Sequence, residues 1–295
     1  MIRKIVTDSS SDLLKLKTVP FNSAPLRIIT TNKEYIDDEN LDVSVMVDDF
    51  ESYNGRSSTS CPNVGDWLKA FGDADEIFCI TITGTLSGSY NSAVLAKETY
   101  EEMYPERRVF VLNSLSTGPE MALIIEKIQE LIVKEKTFDE IVEKIENYRQ
   151  KTGLLFMLQS MKNLVNNGRV SPIVAKVAGL LGIRVVGTAS EQGDLKTLNK
   201  CRGEAKALEA IVESLKSVGF KGGKIKISHC LNKKAGEQLK TLILKEFSKA
   251  KVEITKCRGL CSFYAERGGL LIGFERIYKG GLLKPSFLYE EKHRY

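Results

Sequence analysis

The stretch Ile80-Thr81-Ile82-Thr83-Gly84-Thr85-Leu86-Ser87-Gly88-Ser89-Tyr90-Asn91-Ser92-Ala93 indicates the fold of this chain most clearly. A β-branched run, typical of a strand, ends in a loop of glycines and hydroxyl side chains, and a helical pattern begins near Ser89. Free N–H groups at a helix start, together with loop hydroxyls, can hold a small carboxylate or phosphate. An ordinary strand–turn–helix link with a hydroxyl cap has the same pattern. This stretch alone leaves both interpretations open.

The order of elements around this stretch predicts an α/β fold. Apolar strand candidates lie at 4–7, 76–82, 108–112 and 154–157. Helical patterns lie at 11–16, 62–71, 89–103 and 118–134, and a further helix follows Thr137, which forms a capping-box pattern with Glu140. Alternation of this kind predicts a parallel sheet with helices on both faces. Residues 20–58 interrupt it with short extended pieces at 26–30 and 33–35, which predict a hairpin laid against the main sheet.

The pattern changes near residue 160. Extended runs at 183–189 and 195–200 flank a turn-rich segment and predict a hairpin. A helix at 204–218, a strand at 224–229, a helix at 233–247 and strands at 251–256 and 270–274 follow. This order predicts a two-layer α/β unit, a mixed sheet with helices on one side. We therefore expect an N-terminal α/β/α domain at 1–160, with the excursion at 20–58, and a C-terminal α/β domain at 161–295.

Composition excludes several functional classes. The 295 residues are 42% hydrophobic and 27% charged, and the net charge of +5 forms no basic block, so we expect neither nucleic-acid binding nor stable membrane insertion. The N-terminus lacks a secretory pattern, and the six cysteines form no CxxC pair. Cys257 and Cys261 have a spacing that could suit a metal, but the chain has only two histidines. We expect reduced thiols, no metal, and a cytoplasmic location.

Hydroxyl-rich loops recur before helices in the N-terminal half. They lie at 8–12, 57–62 and 83–89, and a polar strand end follows at 113–114. Each loop alone is a normal helix cap, but a convergence of neutral donors indicates an anion site. Phosphate-loop, dinucleotide, HExxH and GxSxG motifs are absent from the sequence, so we expect no catalytic residue. His229, at a strand end, is more typical of a structural role.

The segment Gly168-Arg169-Val170-Ser171-Pro172 precedes an apolar run at 173–182. An apolar helix of this kind is either a core helix or the lining of a cavity between the domains. Arg202 follows a strand and precedes a helix, where an arginine is either solvated or able to meet an anion or an acidic partner.

These motifs together resemble the DegV family of bacterial fatty-acid-binding proteins. The resemblance extends over nearly the whole chain and rests on the order and spacing of Asp8-Ser9-Ser10-Ser11-Asp12-Leu13, Thr59-Ser60-Cys61-Pro62, Ser87-Gly88-Ser89-Tyr90-Asn91-Ser92-Ala93, Gly168-Arg169-Val170-Ser171, and Arg202 ahead of Ala205-Lys206-Ala207-Leu208. It implies two domains with a long acyl chain in a tunnel between them. It also implies that the protein presents the acid to a separate kinase, which makes the acyl phosphate.

The resemblance also implies roles for individual residues. The carboxylate would be held by hydroxyls and nearby backbone at Thr59, Ser60, Ser87, Gly88, Ser89 and Ser92. The tunnel would be lined by Ile173, Val174, Val177, Ala178 and Leu181. Arg202 matches an arginine linked to the kinase partner. No cofactor is expected besides the bound fatty acid.

Two departures from the family pattern keep alternatives open. Cys61 stands where members often carry Gln, and 269–276 contains no histidine where members often have one near the head group. The chain could therefore bind another lipid without serving a kinase, or act as a small-molecule enzyme related to dihydroxyacetone kinases by fold analogy. A protein-interaction module, with the cleft filled by its own apolar side chains, is the third possibility.

Overall fold

The computed structural model describes residues 1–171 and 182–276 of the chain. Its strands are β1 (Arg3–Asp8), β2 (Phe21–Ala24), β3 (Arg27–Thr30), β4 (Glu34–Ile36), β5 (Ser57–Ser60), β6 (Glu76–Thr81), β7 (Arg108–Asn113), β8 (Thr152–Leu158), β9 (Ile183–Ala189), β10 (Leu195–Arg202), β11 (Gly223–His229), β12 (Ala250–Lys256) and β13 (Leu270–Glu275). The helices within those residues are α1 (Val43–Ser52), α2 (Val64–Phe71), α3 (Ser89–Met103), α4 (Gly118–Val133), α5 (Phe138–Arg149), α6 (Lys162–Asn166), α7 (Glu204–Ser217), α8 (Lys233–Glu246) and α9 (Gly259–Ala265).

The first sheet is parallel, as predicted, with the strand order β2-β1-β6-β7. Alternate side chains of β6 face opposite layers, as the period of a strand requires. Ile77 and Cys79 pack with α2 and α3, whereas Phe78 and Ile80 pack with α4 and α5. The α/β/α layering therefore follows from a strand whose four central residues, 77–80, are all apolar.

The second sheet is mixed, as predicted, with the order β10-β9-β8-β13-β11-β12. Within it β11 and β12 are parallel, and the other pairs are antiparallel. Helices α7 and α8 cover one face. Helix α4 crosses the other face so closely that a Cβ on Gly273 would lie 2.5 Å from the backbone nitrogen of Glu120. Helix α4 therefore packs against both sheets.

The strand predicted at 154–157 exists, but its assignment to the parallel sheet is wrong. It is β8, which pairs antiparallel with β9 and β13 in the mixed sheet. A strand buried on both faces is apolar throughout in either setting, so its pattern could not assign the sheet. The predicted domain boundary at 160 follows a strand of the second sheet, and the position of that boundary stays a prediction.

The excursion at 20–58 is more structured than expected. The predicted hairpin is confirmed as β3 and β4, and β5 adds a third antiparallel strand along β3. The sequence analysis missed this third strand and helix α1. The helix predicted at 11–16 is wrong: a single 3₁₀ turn spans Ser9–Ser11, and Asp12 then turns the chain with a φ of 60°.

Candidate functional site

A cavity of about 280 Å³ opens between the two sheets. One face of β8 supplies its floor. Leu154, Phe156 and Leu158 line the cavity, whereas Leu155 and Met157 face α7 and α8 on the other side of the sheet. Further apolar lining residues are Leu26, Ile82, Leu86, Leu164, Ala189, Leu195, Leu260, Ala265 and Leu271. The largely apolar lining favours an apolar ligand.

Hydroxyl side chains also line the cavity, among them Thr83, Ser116 and Thr117. A group of polar residues from two segments forms what we call the polar end. Thr59 and Ser60 come from β5, and Ser87 and Gly88 come from the loop before α3. The two segments lie close together, because a Cβ on Gly88 would lie 3.2 Å from the Cys61 sulfur. Two of the predicted hydroxyl loops therefore converge, although they lie on different sheets.

A second, open pocket of about 350 Å³ adjoins this polar end. It shares Leu86, Ser87, Gly88 and Arg169 with the cavity. We call this polar end the mouth of the cavity, because its residues also line the open pocket.

A hydroxyl pair crosses the mouth. The Thr59 Oγ1 and Tyr264 hydroxyl oxygens lie 2.8 Å apart, and both residues line the cavity. Tyr264 belongs to the short helix α9, and burial raises the pKa of its phenol. The sequence analysis did not select Tyr264, since nothing local to a tyrosine near the end of a short helix marks it.

Arg169 is the charged side chain among the described residues that line the cavity. Its Nε donates to the Leu86 carbonyl oxygen at 3.1 Å, and its Nη1 donates to the Asn167 carbonyl oxygen. Within residues 1–171 and 182–276, no carboxylate forms an ion pair with this guanidinium. A half-buried positive charge that is held by carbonyl oxygens among the described residues favours an anion at the mouth. The sequence analysis quoted Arg169 within a motif but gave it no role.

Two predicted head-group residues do not line the cavity. Ser89 is fully buried, and its Oγ donates to Oδ2 of Asp8 at 2.6 Å. Ser92 lies one turn further along α3, where its N–H donates to the Gly88 carbonyl oxygen at 3.0 Å. The Ser92 Oγ is buried and makes no hydrogen bond with the part of the chain that the structure describes. Their roles toward a ligand stay predictions.

Asp8 does not line the cavity, but its hydrogen bonds hold the loop that forms part of the mouth. Its Oδ2 also accepts from the Ile82 N–H at 2.9 Å, and its Oδ1 accepts from the N–H and hydroxyl of Ser10. Burial raises the pKa of Asp8, and these hydrogen bonds oppose that rise. The loop at 8–12 thus supports the neighbouring loop and does not line the cavity.

Two further carboxylates hold the start of α9. Asp12 Oδ1 accepts from the Arg258 N–H at 2.7 Å. Asp37 accepts from the N–H groups of Gly259 and Leu260, each at 2.8 Å. Burial raises the pKa of both, that of Asp12 to about 7. These contacts place Leu260, Cys261, Tyr264 and Ala265 against the cavity.

Other predicted residues lie elsewhere. Arg202 is exposed at the end of β10. His229 is buried, burial lowers its pKa, and its Nδ1 accepts from the Asn232 N–H at 3.3 Å. The segment 269–276, where the family pattern often has a head-group histidine, is largely strand β13, and its Leu271 lines the cavity. The predicted tunnel-lining residues lie outside the described residues: Ile173, Val174, Val177, Ala178 and Leu181.

All six cysteines are free thiols. No group of His, Cys, Asp and Glu that could hold a metal ion occurs in residues 1–171 and 182–276. Over the same residues, no helix has the length and apolar character needed to cross a bilayer.

The sequence matches the model of a family described as "Uncharacterised protein, DegV family" over residues 3–276. A DegV domain-containing protein of Streptococcus gordonii is 44% identical over 279 residues, which are 93% of this chain and 99% of that protein. A second relative, from Streptococcus pyogenes serotype M1, is 42% identical over 279 residues, 93% of this chain and 100% of that protein.

Two solved structures are similar at a TM-score of 0.91 and 44% identity, each over 93% of this chain and 99% of the other. One is a DegV family protein from Eubacterium eligens loaded with heptadecanoic acid. The other is the Streptococcus pneumoniae Fatty Acid Kinase (Fak) B3 protein loaded with linoleic acid.

Proposed function

The chain belongs to the DegV family, and from that premise we propose that it binds one long-chain fatty acid and presents the carboxylate to a separate fatty acid kinase. The observation that carries the proposal is a largely apolar cavity with a group of hydroxyls and, beside them, an arginine without an ion-pair partner among the described residues. Relatives loaded with heptadecanoic and linoleic acid support the class of ligand.

The apolar wall supplies the affinity. Burying an acyl chain gains about 0.8 kcal/mol for each methylene, so a chain of about sixteen carbons exceeds the cost of association. A protein-interaction module would need this space filled by its own side chains, whereas the described residues leave about 280 Å³ open. An acyl chain along Leu154, Phe156 and Leu158 would replace that open space with close contacts.

The mouth supplies the head-group site. Thr59, Ser60 and Ser87 offer hydroxyl donors, and the Arg169 guanidinium adds a charge-assisted donor, which is worth more than a neutral one. We keep Ser92 as a candidate: its Oγ does not line the cavity, but it is buried and makes no hydrogen bond with the described residues, so it needs an acceptor. We assign Ser89 to the support of the loop, since its single proton is directed to Asp8.

Presentation, and not chemistry of its own, is the role proposed for this chain. The open pocket beside Ser87 and Arg169 leaves the carboxylate accessible to a phosphoryl donor on another protein. The thiols nearest the site, Cys61 and Cys261, have pKa values raised by burial and so stay neutral. Arg202, exposed on β10, is proposed to meet the kinase.

Mass spectrometry of the protein extracted under denaturing conditions tests the proposal. We expect a stoichiometric long-chain acid. After removal of that lipid, palmitic acid should bind more tightly than methyl palmitate, because only the acid engages Arg169. An empty protein that binds acid and ester equally would contradict the proposal.

Two arginine variants separate its parts. Arg169→Ala should weaken binding of palmitic acid and leave that of methyl palmitate unchanged. Arg202→Ala should bind palmitic acid normally, but a fatty acid kinase should phosphorylate the acid bound to this variant more slowly. Equal loss of acid binding in both variants would contradict separate roles.

A further inference from the structure

We propose that Tyr264 is a positioning residue of the head-group site, which directs the single hydroxyl proton of Thr59 toward the bound acid. The inference rests on the proposed function, because it needs an acid at the mouth. It concerns a residue of α9, which no motif of the sequence marks.

The geometry joins two distant parts of the chain. Thr59 and Tyr264 are 205 positions apart in sequence, yet their hydroxyl oxygens lie 2.8 Å apart, a normal hydrogen-bond distance. Both side chains also line the cavity. The two hydroxyls are therefore hydrogen-bonded to each other at a point where both side chains contact the cavity.

The proton count of this pair decides what it offers a ligand. Each hydroxyl has one proton, and the bond between them uses one of the two. A phenol is more acidic than an alkyl hydroxyl, so we expect Tyr264 to donate and Thr59 to accept. The Thr59 proton is then free for an acceptor in the cavity, and donation by Tyr264 strengthens it.

The position of the Tyr264 hydroxyl is well determined. Its ring packs edge-on against Phe263, with 4.9 Å between centroids. The N-terminus of α9 is held by Asp37, which accepts from two of its N–H groups. Because the start of this short helix and the Tyr264 ring are both held, the hydroxyl loses little rotamer freedom when it meets Thr59.

The pair also stays neutral near physiological pH. Burial raises the pKa of Tyr264, and the Arg169 charge opposes the rise without cancelling it. Among the described residues, no histidine lines the cavity. The donor count of the pair therefore does not change with pH through the neutral range.

A double-mutant cycle with Tyr264→Phe and Thr59→Val tests the inference. Binding of palmitic acid and of methyl palmitate is measured for the wild type, both single variants and the double variant. We expect Tyr264→Phe to weaken acid binding roughly fivefold and to leave ester binding unchanged. In the Thr59→Val background, Tyr264→Phe should have no further effect on the acid.

Equal losses for acid and ester, or the same loss in both backgrounds, would overturn the inference, because Tyr264 would then act only by packing. Ester binding also reports whether each variant keeps a folded cavity. Tyr53→Phe is the matched control, since the Tyr53 hydroxyl donates to the Arg56 carbonyl oxygen away from the cavity. Failure of the wild type to prefer acid over ester would count against the proposed function itself.

Discussion

The Ser89 hydroxyl donates a hydrogen bond to the Asp8 carboxylate across 2.6 Å, at a point where both residues are fully buried. The same oxygen of Asp8 accepts from the Ile82 N–H. One carboxylate oxygen therefore ties together both ends of the loop that supplies Ser87 and Gly88 to the cavity mouth. The Ser89 hydroxyl therefore holds the loop in place, whereas the Ser87 hydroxyl lines the cavity and can meet a ligand.

Ser89→Ala should therefore act mainly on stability. It removes a donor from a buried carboxylate, which costs about 1–3 kcal/mol of unfolding free energy. Denaturant unfolding of the acid-free protein measures this loss. An unchanged unfolding free energy with a large loss of acid affinity would show that Ser89 serves the ligand directly.

Ser92→Ala should have the opposite pattern. Its Oγ is buried without a hydrogen-bond partner among the described residues, and alanine is the better helix former. The acid-free variant should be as stable as the wild type or more stable. Its affinity for palmitic acid should fall by about 1 kcal/mol, measured by titration. Normal acid affinity would remove Ser92 from the head-group site.

Asp12→Asn should reveal a pH dependence of stability. Asp12 has a pKa of about 7 in the folded protein, raised by burial first and further by the neighbouring Asp37, while hydrogen bonds from Arg258 and Cys261 and the Arg258 charge oppose the rise. The ordinary pKa of an aspartate side chain is 3.8. Between these values the folded state holds a proton that the unfolded chain has lost, so the unfolding free energy falls as pH rises.

Asparagine at this position still offers an oxygen to the Arg258 N–H but does not titrate. The wild type should therefore lose stability relative to Asp12→Asn as pH rises from about 4 to 7, by roughly 1.4 kcal/mol per unit at the steepest point. Above that range the difference should stay constant. Parallel stability curves for the two proteins across the range would contradict this prediction.

Ala189→Leu should shorten the preferred acyl chain. Ala189 lies on β9 and lines the cavity, so three added heavy atoms take up space that an acyl chain would use. Titration with saturated acids of increasing length measures the shift. Ala205→Leu, on the exposed face of α7, is the control and should leave the preference unchanged. The same length preference in both variants would mean that the acid does not pass Ala189.

Local pattern predicted most of the elements. Helix α3 begins and ends where its pattern predicts, at Ser89 and Met103, and the capping box at Thr137 and Glu140 is present. These features depend on residues within a few positions of each other, so the sequence carries them directly. The helix predicted at 11–16 failed because Asp12, which turns the chain there, takes part in a contact with Arg258.

The sequence by itself determined the two kinds of sheet, the hydroxyl loops and the resemblance to a family. These features depend on hydrophobic periodicity and on the order of short motifs, which can be read directly from the sequence. Only the tertiary structure decided that β8 joins the second sheet, that the Ser89 proton goes to Asp8, and that Tyr264 meets Thr59. Each of these depends on which distant atoms lie within about 3 Å, and a hydrogen bond at that range leaves no trace in the local pattern.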